Sequence, residues 1–359
     1  MELIVAPPRD GQPQTAWRLA PLVFGMFNVR LPLTSYADSE MLLPLLIILL
    51  GFIGLLWSAE RFVGVAAATA WRAGMSTLLV GMTVVSLGTS APEIVVSVMA
   101  SLDGAPNLAI GNALGSNIAN IALVLGITAL AVPIPVRFSI VRRELPLLLG
   151  ATGLAGYALA NSHLDRLDGI LLLVLLAFSL WWLFRADSPD GESIGEIPEM
   201  PLSRALAWLV GTLAIMVASS RALVWGASEL ARGLGVSELV IGLTVVAIGT
   251  SLPELAACLA SALKRHHDLA IGNVIGSNLF NMLTVLPVPA LLAPGITDSA
   301  AAGRDYPVML VLTLALGALL LWNRHGQLGR LPGALLVIAY AGYLLWLGNS
   351  GPAAAGLSP

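Results

Sequence analysis

The stretch GMTVVSLGTSAPE, from Gly81 to Glu93, occurs a second time as GLTVVAIGTSLPE, from Gly242 to Glu254. Nine of the thirteen positions are identical, and the copies lie 161 residues apart. A second pair follows at the same offset, NLAIGNALGSNIANIALVLGI at 107–127 and DLAIGNVIGSNLFNMLTVLPV at 268–288, with eleven of twenty-one positions identical. Self-similarity at a fixed spacing indicates an internal repeat. The chain is therefore predicted to consist of two copies of one unit.

The composition of the chain is typical of a membrane protein. Hydrophobic residues make up 57% of the 359 residues and charged residues only 11%, with a mean hydropathy of +0.87. Soluble domains carry about 25% charged residues, so this deficit places most of the chain in lipid. A spanning helix needs about 20 mostly apolar residues. Ten spans are predicted, at 42–66, 75–101, 107–132, 145–162, 167–184, 204–231, 238–263, 269–293, 305–323 and 330–348.

The repeat and the spans together predict the domain organisation. We expect an amino-terminal tail at 1–40, a first repeat at 41–184, a charged cytoplasmic linker at 185–201, a second repeat at 202–348 and a carboxy-terminal tail at 349–359. Each repeat holds five spans, and since five is odd, the second copy enters the membrane from the opposite side. Inverted repeats of this kind build many secondary transporters, with substrate sites near the midplane. The predicted fold is an all-α integral membrane protein of ten transmembrane helices in two inverted five-helix repeats.

The distribution of basic residues predicts the orientation. If the amino terminus lies outside, the inner loops carry ten Lys and Arg residues, and the outer loops and amino-terminal tail carry six. Positive residues accumulate in cytoplasmic loops. Both termini of this multi-pass protein are therefore expected on the periplasmic or extracellular side of a prokaryotic inner membrane.

Several classes of function are disfavoured by what the sequence lacks. The net charge of −3 offers no basic excess for nucleic acid. The single cysteine, Cys258, allows no intramolecular disulfide and no cysteine-based metal cage. The chain has no H-E-x-x-H, no G-x-S-x-G and no histidine within a span to activate a serine. We therefore predict a protein that is not an enzyme, has no cofactor and has the lipid bilayer, rather than an obligatory protein, as its partner.

Two glutamates, Glu93 and Glu254, lie deep within predicted spans at equivalent positions of the two repeats. An ionisable side chain at the centre of a spanning helix costs at least ~2.5–3.5 kcal/mol and persists with a partner or a function. One such glutamate could be structural, bonded to backbone or hydroxyl groups. A pair at the midplane of an inverted repeat indicates a cation site.

A proline precedes each glutamate. Pro92 has no N–H to bond the carbonyl of Gly88 four residues back, so the helix is expected to kink and to leave nearby carbonyls facing a cavity. The same is expected of Gly249 and Pro253 in the second copy. Carbonyls, carboxylates and hydroxyls are hard oxygen ligands, which suit Na⁺ and Ca²⁺ rather than a soft transition metal.

Neutral oxygen groups are expected around both glutamates. Residues three and four apart share a helix face, and the side chains so placed are Thr89, Ser90, Thr250 and Ser251 in the first motif, with Ser116, Asn120, Ser277 and Asn281 in the second. Each Ser or Asn could instead make an interhelical hydrogen bond. A structural role is predicted for the pairs Gly111/Gly115 and Gly272/Gly276, which allow close helix packing, and for Asn112, Asn117, Asn273 and Asn278.

The segments GTSAPE…GNALGSNIAN and GTSLPE…GNVIGSNLFN closely resemble the two α-repeats of the calcium/cation antiporter superfamily, and within it the prokaryotic sodium/calcium exchanger branch. The resemblance covers about residues 41–348. It implies exchange of Na⁺ for Ca²⁺ by alternating access, with Ca²⁺ extruded from the cell, through four core helices around four cation sites. It assigns Ca²⁺ to Glu93 and Glu254 with main-chain oxygens of Thr89 and Thr250. The residues it assigns to the Na⁺ sites are Ser86, Thr89, Ser90, Ser116, Ala247, Thr250, Ser251 and Ser277, and those flanking the centre are Asn120 and Asn281.

Two departures from the family pattern bear on the mechanism. Asn281 stands where some prokaryotic members and the potassium-dependent branch have Asp, so the core has two formal negative charges instead of three, which implies electrogenic exchange without K⁺. Arg221 aligns with Glu60 of the first repeat, and could snorkel or pair with a carboxylate such as Glu60 or Glu229. A proton-coupled Ca²⁺ or cation exchanger on the same fold is the alternative function, and a passive channel is a further one.

Overall fold

The computed structural model describes residues 39–102, 104, 106–136, 138–186, 201–233, 249, 251–322 and 326–349. The chain divides into two compact units, Met1–Glu40 and Met41–Pro359. All elements described below belong to the second unit, except that the first helix begins two residues before it, at Ser39. The helices are α1 Ser39–Ala73, α2 Thr77–Val80, α3 Ser86–Thr89, α4 Ala91–Leu102, α5 Pro106–Ala119, α6 Gly126–Ala131, α7 Phe138–Leu159, α8 Arg166–Ala186, α9 Leu202–Gly233, α10 Leu252–Leu263, α11 His267–Phe280, α12 Pro287–Leu292, α13 Tyr306–Trp322 and α14 Arg330–Asn349.

Short π-helical segments and two-residue strands complete the structure. The π-helical segments are π1 Gly81–Val85, π2 Asn120–Leu125, π3 Asn281–Val285 and π4 Ala301–Asp305, and the strands are β1 Ile134–Pro135, β2 His163–Leu164, β3 Gly295–Ile296 and β4 Gln327–Leu328. The segments π2 and π3 lie at equivalent positions of the two repeats and join α5 to α6 and α11 to α12. One extra residue per turn loosens the backbone hydrogen bonding there, and such bulges are frequent at functional sites.

The described residues contain fewer helices that could span a membrane than the ten predicted. Within the described residues, seven helices are long and apolar enough to cross a membrane, and the bent pair Thr77–Thr89 and Ala91–Leu102 brings the number to eight. Helix α7 carries Arg142, Arg143 and Glu144 in its second turn, so its apolar part is short. Helix α10 is apolar but has only 12 residues, and 234–248 before it lies outside the described residues. The all-α membrane fold is confirmed, whereas the number of ten spans is not.

The second motif of each repeat forms the centre of the molecule. The helices containing Pro106–Ala131 and His267–Leu292 each have 83% of their apolar window buried, against 17–33% for the other single spans. A large cluster of buried aliphatic side chains surrounds these two helices. The outer helices expose apolar faces, such as Leu45, Leu49 and Phe52 of α1, as lipid-facing helices do.

Two small ladders join the repeats at opposite ends of α7. Strand β1, which precedes α7, pairs antiparallel with β4, and β2, which follows α7, pairs antiparallel with β3. Each ladder thus combines a loop of the first repeat with a loop of the second. At the 161-residue offset β1 is equivalent to β3, yet β1 pairs with β4, at the opposite end of α7 from β3. Equivalent loops of the two repeats therefore lie at opposite ends, as an inverted repeat requires.

Glycines bring α11 into backbone contact with the first motif of the other repeat. A Cβ on Gly272 would lie 2.7 Å from the Leu78 carbonyl oxygen, and one on Gly276 would lie 2.5 Å from the Met82 carbonyl oxygen. The predicted packing role is therefore observed for this pair. For Gly111 and Gly115 an added Cβ meets no described atom within 4 Å. The segment 239–247, which is equivalent to 78–86 in the other repeat, lies outside the described residues.

The charged residues that the repeat aligns are not paired with each other. Lys264 Nζ lies 3.5 Å from Glu60 Oε1 and donates to the Glu60 carbonyl at 2.7 Å. Arg221 is exposed. Glu60, one of the two partners considered for Arg221, therefore pairs with Lys264 instead.

Candidate functional site

Two broken helices carry the glutamates. Helix α3 ends at Thr89, Ser90 forms a turn with φ −83° and ψ 3°, and α4 begins at Ala91. The two parts meet at 42°. In the second repeat Ser251 has nearly the same backbone conformation, φ −90° and ψ 4°, before α10 begins. Proline just inside each new helix explains the break, since it has no N–H for the preceding turn.

Both carboxylates are buried in one region of the molecule. Glu93 and Glu254 are each 1% exposed. Ser90 of the first repeat donates its hydroxyl hydrogen to Glu254 Oε1 at 3.3 Å, so the break of one repeat lies against the glutamate of the other. Among the described residues, neither Glu93 Oε2 nor Glu254 Oε2 has a hydrogen-bond partner.

The central helices contact the glutamate helices crosswise. Helix α4, which carries Glu93, packs against α5 of its own repeat and against π3 of the other. Helix α10, which carries Glu254, packs against α11 of its own repeat and against π2 of the other. Segment π2 begins at Asn120 and π3 begins at Asn281. The crosswise packing brings both asparagines to the same part of the structure as the glutamates.

Further buried polar atoms surround this region. Asn120 and Asn281 are 1% and 0% exposed, and neither side-chain amide has a partner in the described part of the chain. The same holds for the hydroxyls of Ser251 and Ser277. Buried polar groups are ordinarily hydrogen-bonded, so a cluster of unsatisfied oxygens around two carboxylates fits a site for hard cations.

The remaining predicted site residues differ in their contacts. Ser86 is buried and donates to the Gly81 carbonyl at 2.8 Å. Thr89 donates to the Ser86 carbonyl and to Asn273 Oδ1, both at 3.3 Å. Ser116 is buried. Thr250 and Ala247 lie outside the described residues.

Two of the asparagines expected to be structural contact the backbone of the glutamates. Asn112 Nδ2 donates to the Glu93 carbonyl at 3.3 Å, and Asn273 Nδ2 donates to the Glu254 carbonyl at 3.4 Å. These are equivalent hydrogen bonds in the two repeats. Because Asn273 also accepts from Thr89, it links the first motifs of both repeats. In the sequence, the only indication of these hydrogen bonds is the dipeptide Gly-Asn, which occurs at the same position of the second motif in both repeats.

The carbonyl freed by proline at the second break has a side-chain hydrogen-bond donor. The Gly249 carbonyl, which Pro253 leaves without its helical donor, accepts a hydrogen bond of 2.6 Å from Ser220 Oγ on α9. The expectation that this carbonyl faces a cavity unbonded is therefore wrong. Sequence reasoning missed Ser220, since α9 has no motif around that position.

Comparison with known proteins identifies the family. The family model described as sodium/calcium exchanger protein matches residues 43–185 and 204–348. The putative antiporter CaxA of Alkalimonas amylolytica is 46% identical, covering 86% of this chain and 100% of its own length. Inner membrane protein YrbG of Escherichia coli K12 is 44% identical, covering 86% and 96%.

A solved structure extends the comparison to the fold. The sodium-calcium exchanger NCX_Mj superposes with a TM-score of 0.74 at 31% identity, over 86% of this chain and 99% of that protein. Members of this family transport ions across the membrane and are not enzymes. The chain therefore belongs to the sodium/calcium exchanger family of multi-pass membrane cation antiporters.

Proposed function

We propose that this protein exchanges Na⁺ for Ca²⁺ across a prokaryotic inner membrane by alternating access, and that it extrudes Ca²⁺ from the cell. The observation that carries the proposal is the pair of buried carboxylates, Glu93 and Glu254, in inverted copies of one motif. Their unsatisfied Oε2 atoms lie in a region whose other unsatisfied polar groups are neutral amides and hydroxyls. Such a ligand set matches the hard cations Na⁺ and Ca²⁺.

The carboxylates are assigned to Ca²⁺ because two negative charges balance one divalent cation. The residues assigned to the cation sites with them are Thr89, Thr250, Ser86, Ser90, Ser116, Ala247, Ser251, Ser277, Asn120 and Asn281. Three Na⁺ in place of one Ca²⁺ would leave one excess positive charge, so the exchange is expected to be electrogenic. Asn281 contributes no third carboxylate, so K⁺ is not expected to take part.

The inverted repeat supports alternating access. Two copies of opposite orientation form one site near the midplane, which can open to either membrane face when the copies exchange conformations. From the distribution of Lys and Arg we infer that both termini are periplasmic and that the 185–201 linker is cytoplasmic.

Proton coupling is the second candidate. Glu93 and Glu254 lie in one buried region in which Ser90 of the first repeat contacts Glu254. Like charges held close together and away from water favour protonation of one of them. The same two side chains could therefore exchange protons for Ca²⁺ without any bound Na⁺.

Uptake of ⁴⁵Ca²⁺ by proteoliposomes distinguishes these functions. Vesicles of purified protein are loaded with Na⁺, K⁺ or choline and diluted into a medium free of these ions, with the pH equal on both sides. We expect uptake into the Na⁺-loaded vesicles only. Uptake that follows an imposed pH gradient in choline-loaded vesicles would instead support the proton-coupled exchanger, and uptake without any countergradient would indicate a channel.

A further inference from the structure

At each of the two helix breaks, a proline removes the hydrogen-bond donor of the glycine carbonyl four residues before it. Gly88 lies four residues before Pro92, and Gly249 lies four residues before Pro253. Neither proline can donate to the carbonyl four residues back. Each repeat therefore holds one carbonyl close to its glutamate whose helical donor is missing.

In the second repeat a side chain supplies the missing donor. Ser220 on α9 is 4% exposed and donates its hydroxyl hydrogen to the Gly249 carbonyl at 2.6 Å. This bond is short for a hydroxyl donor. Its length and its burial both indicate a firm contact.

In the first repeat the equivalent position cannot make this bond. The 161-residue offset aligns Ser220 with Ala59 of α1, which is 2% exposed. A methyl group cannot donate a hydrogen bond, and among the described residues the Gly88 carbonyl is approached by the backbone N–H of Ser90 but by no side-chain donor. The inverted repeat is thus unequal at this one backbone oxygen.

We propose that Ser220 makes the two halves of the cation site chemically unequal, because its hydroxyl occupies the Gly249 carbonyl while the Gly88 carbonyl, which no described side chain contacts as a donor, keeps a lone pair for a monovalent cation. The proposal rests on the function proposed above. A carbonyl oxygen bonded to a hydroxyl has less electron density to offer a cation. Neutral ligands suit a monovalent cation here, since the carboxylates are matched to the divalent one.

The repeat itself supplies matched variants. Ala59→Ser adds to the first repeat the hydroxyl that the second repeat has, and Ser220→Ala removes it from the second. Ser219→Ala is the control on α9, since Ser219 packs against Gly54 of α1 and not against a freed carbonyl. Thermal unfolding of each purified variant in detergent, titrated with NaCl and separately with CaCl₂ at constant ionic strength, reports cation binding without any transport assay.

We expect the half-saturating Na⁺ concentration to rise about fivefold in Ala59→Ser and to fall about fivefold in Ser220→Ala, as the gain or loss of one hydrogen bond to a ligand implies. The half-saturating Ca²⁺ concentration should change by less than about twofold, and Ser219→Ala should match the wild type. A Ser220 that serves only to hold the helix would lower the ion-free melting temperature of Ser220→Ala and leave the Na⁺ midpoint unchanged.

The outcomes separate this inference from the proposed function. Wild-type stabilisation by Na⁺ with unchanged midpoints in both variants overturns the inference and leaves the sodium/calcium exchanger intact. A wild type that Ca²⁺ stabilises and Na⁺ does not would overturn the proposed function, and the inference with it.

Discussion

Ser90 of the first repeat donates a hydrogen bond of 3.3 Å to Glu254 of the second repeat. The two residues are 164 positions apart in the sequence, and each lies at the break of its own helix. Asn273, which accepts from Thr89 and donates to the Glu254 carbonyl, makes a second link between the same two helices. The two repeats therefore form one polar site rather than two independent ones.

Loss of either carboxylate should abolish exchange. Glu93→Gln or Glu254→Gln keeps the side-chain volume and removes half of the negative charge that balances Ca²⁺. We expect Na⁺-driven ⁴⁵Ca²⁺ uptake to fall at least about 100-fold, because one remaining carboxylate would leave a buried positive charge of Ca²⁺ uncompensated, which is strongly unfavourable.

The control is Glu60→Gln, whose carboxylate is largely exposed and pairs with Lys264. That variant should transport at a rate close to the wild type. A folded Glu93→Gln or Glu254→Gln protein that exchanges Ca²⁺ at the wild-type rate would show that the site has been assigned wrongly.

A single methyl group at the closest helix contact should destabilise the fold. In Gly276→Ala, the added Cβ would lie 2.5 Å from the Met82 carbonyl oxygen and would also meet the hydroxyl of Ser86. Backbone cannot move away cheaply, so we expect a loss of about 1–3 kcal/mol, as for other overpacked cores. Thermal unfolding in detergent measures it.

Gly342→Ala is the matched control, since a Cβ there meets nothing within 4 Å in the described part of the chain. It replaces glycine within α14 and should leave stability unchanged or raise it by up to about 1 kcal/mol. Equal melting temperatures for the two variants would contradict the packing described here.

The strand ladders should accept disulfides without loss of transport. His163 is opposite Ile296 in one ladder, and Pro135 is opposite Gln327 in the other. Facing residues of antiparallel strands have Cα atoms about 4.5–5.5 Å apart, which lies within the range for disulfides. Each cysteine pair, introduced into a Cys258→Ser background, should cross-link on oxidation and still carry out exchange.

The same cysteines test the inverted topology. In spheroplasts, a thiol reagent that does not cross membranes should label His163→Cys and Ile296→Cys, which we expect on the periplasmic face, and should spare Pro135→Cys and Gln327→Cys. Labelling of both pairs from the same face would contradict the inverted arrangement.

The sequence was sufficient to predict the internal repeat and the equivalent, buried positions of Glu93 and Glu254, because identical residues recur at a fixed offset. It was insufficient where identical residues of the two repeats make different contacts. The carbonyls of Gly88 and Gly249 follow the same rule about proline, but the donor that distinguishes them, Ser220, lies on a helix outside either motif. Symmetry reasoning alone therefore treated two unequal oxygens as equal.

The spacing of apolar residues also could not predict the local backbone geometry. The π-helical segments beginning at Asn120 and Asn281 have no signature in the spacing of apolar residues, since one inserted residue shifts the register without changing composition. The predicted number of ten spans is not confirmed, for a different reason. Charged residues at the start of α7 and the short α10 make length and hydropathy a poor guide to helices that cross the membrane inside a protein.

Asn281 should make exchange indifferent to K⁺ and sensitive to voltage. Its amide is 0% exposed and has no partner among the described residues, so it offers neutral oxygen where potassium-dependent relatives have a carboxylate. A further monovalent cation beside Ca²⁺ would meet like-charge repulsion of several kcal/mol at an effective dielectric constant of about 20. Movement of three Na⁺ against one Ca²⁺ then transfers one net charge per cycle, worth about 2.3 kcal/mol per 100 mV.

The measurement is Na⁺-driven Ca²⁺ flux in proteoliposomes at clamped potentials, with and without K⁺ on the Ca²⁺ side. We expect flux to follow the potential and to ignore K⁺, and Asn281→Asp, which restores a third negative charge, to reduce the voltage dependence. A strict K⁺ requirement in the wild type, or flux that does not change with voltage, would show that Asn281 does not set the charge of the site.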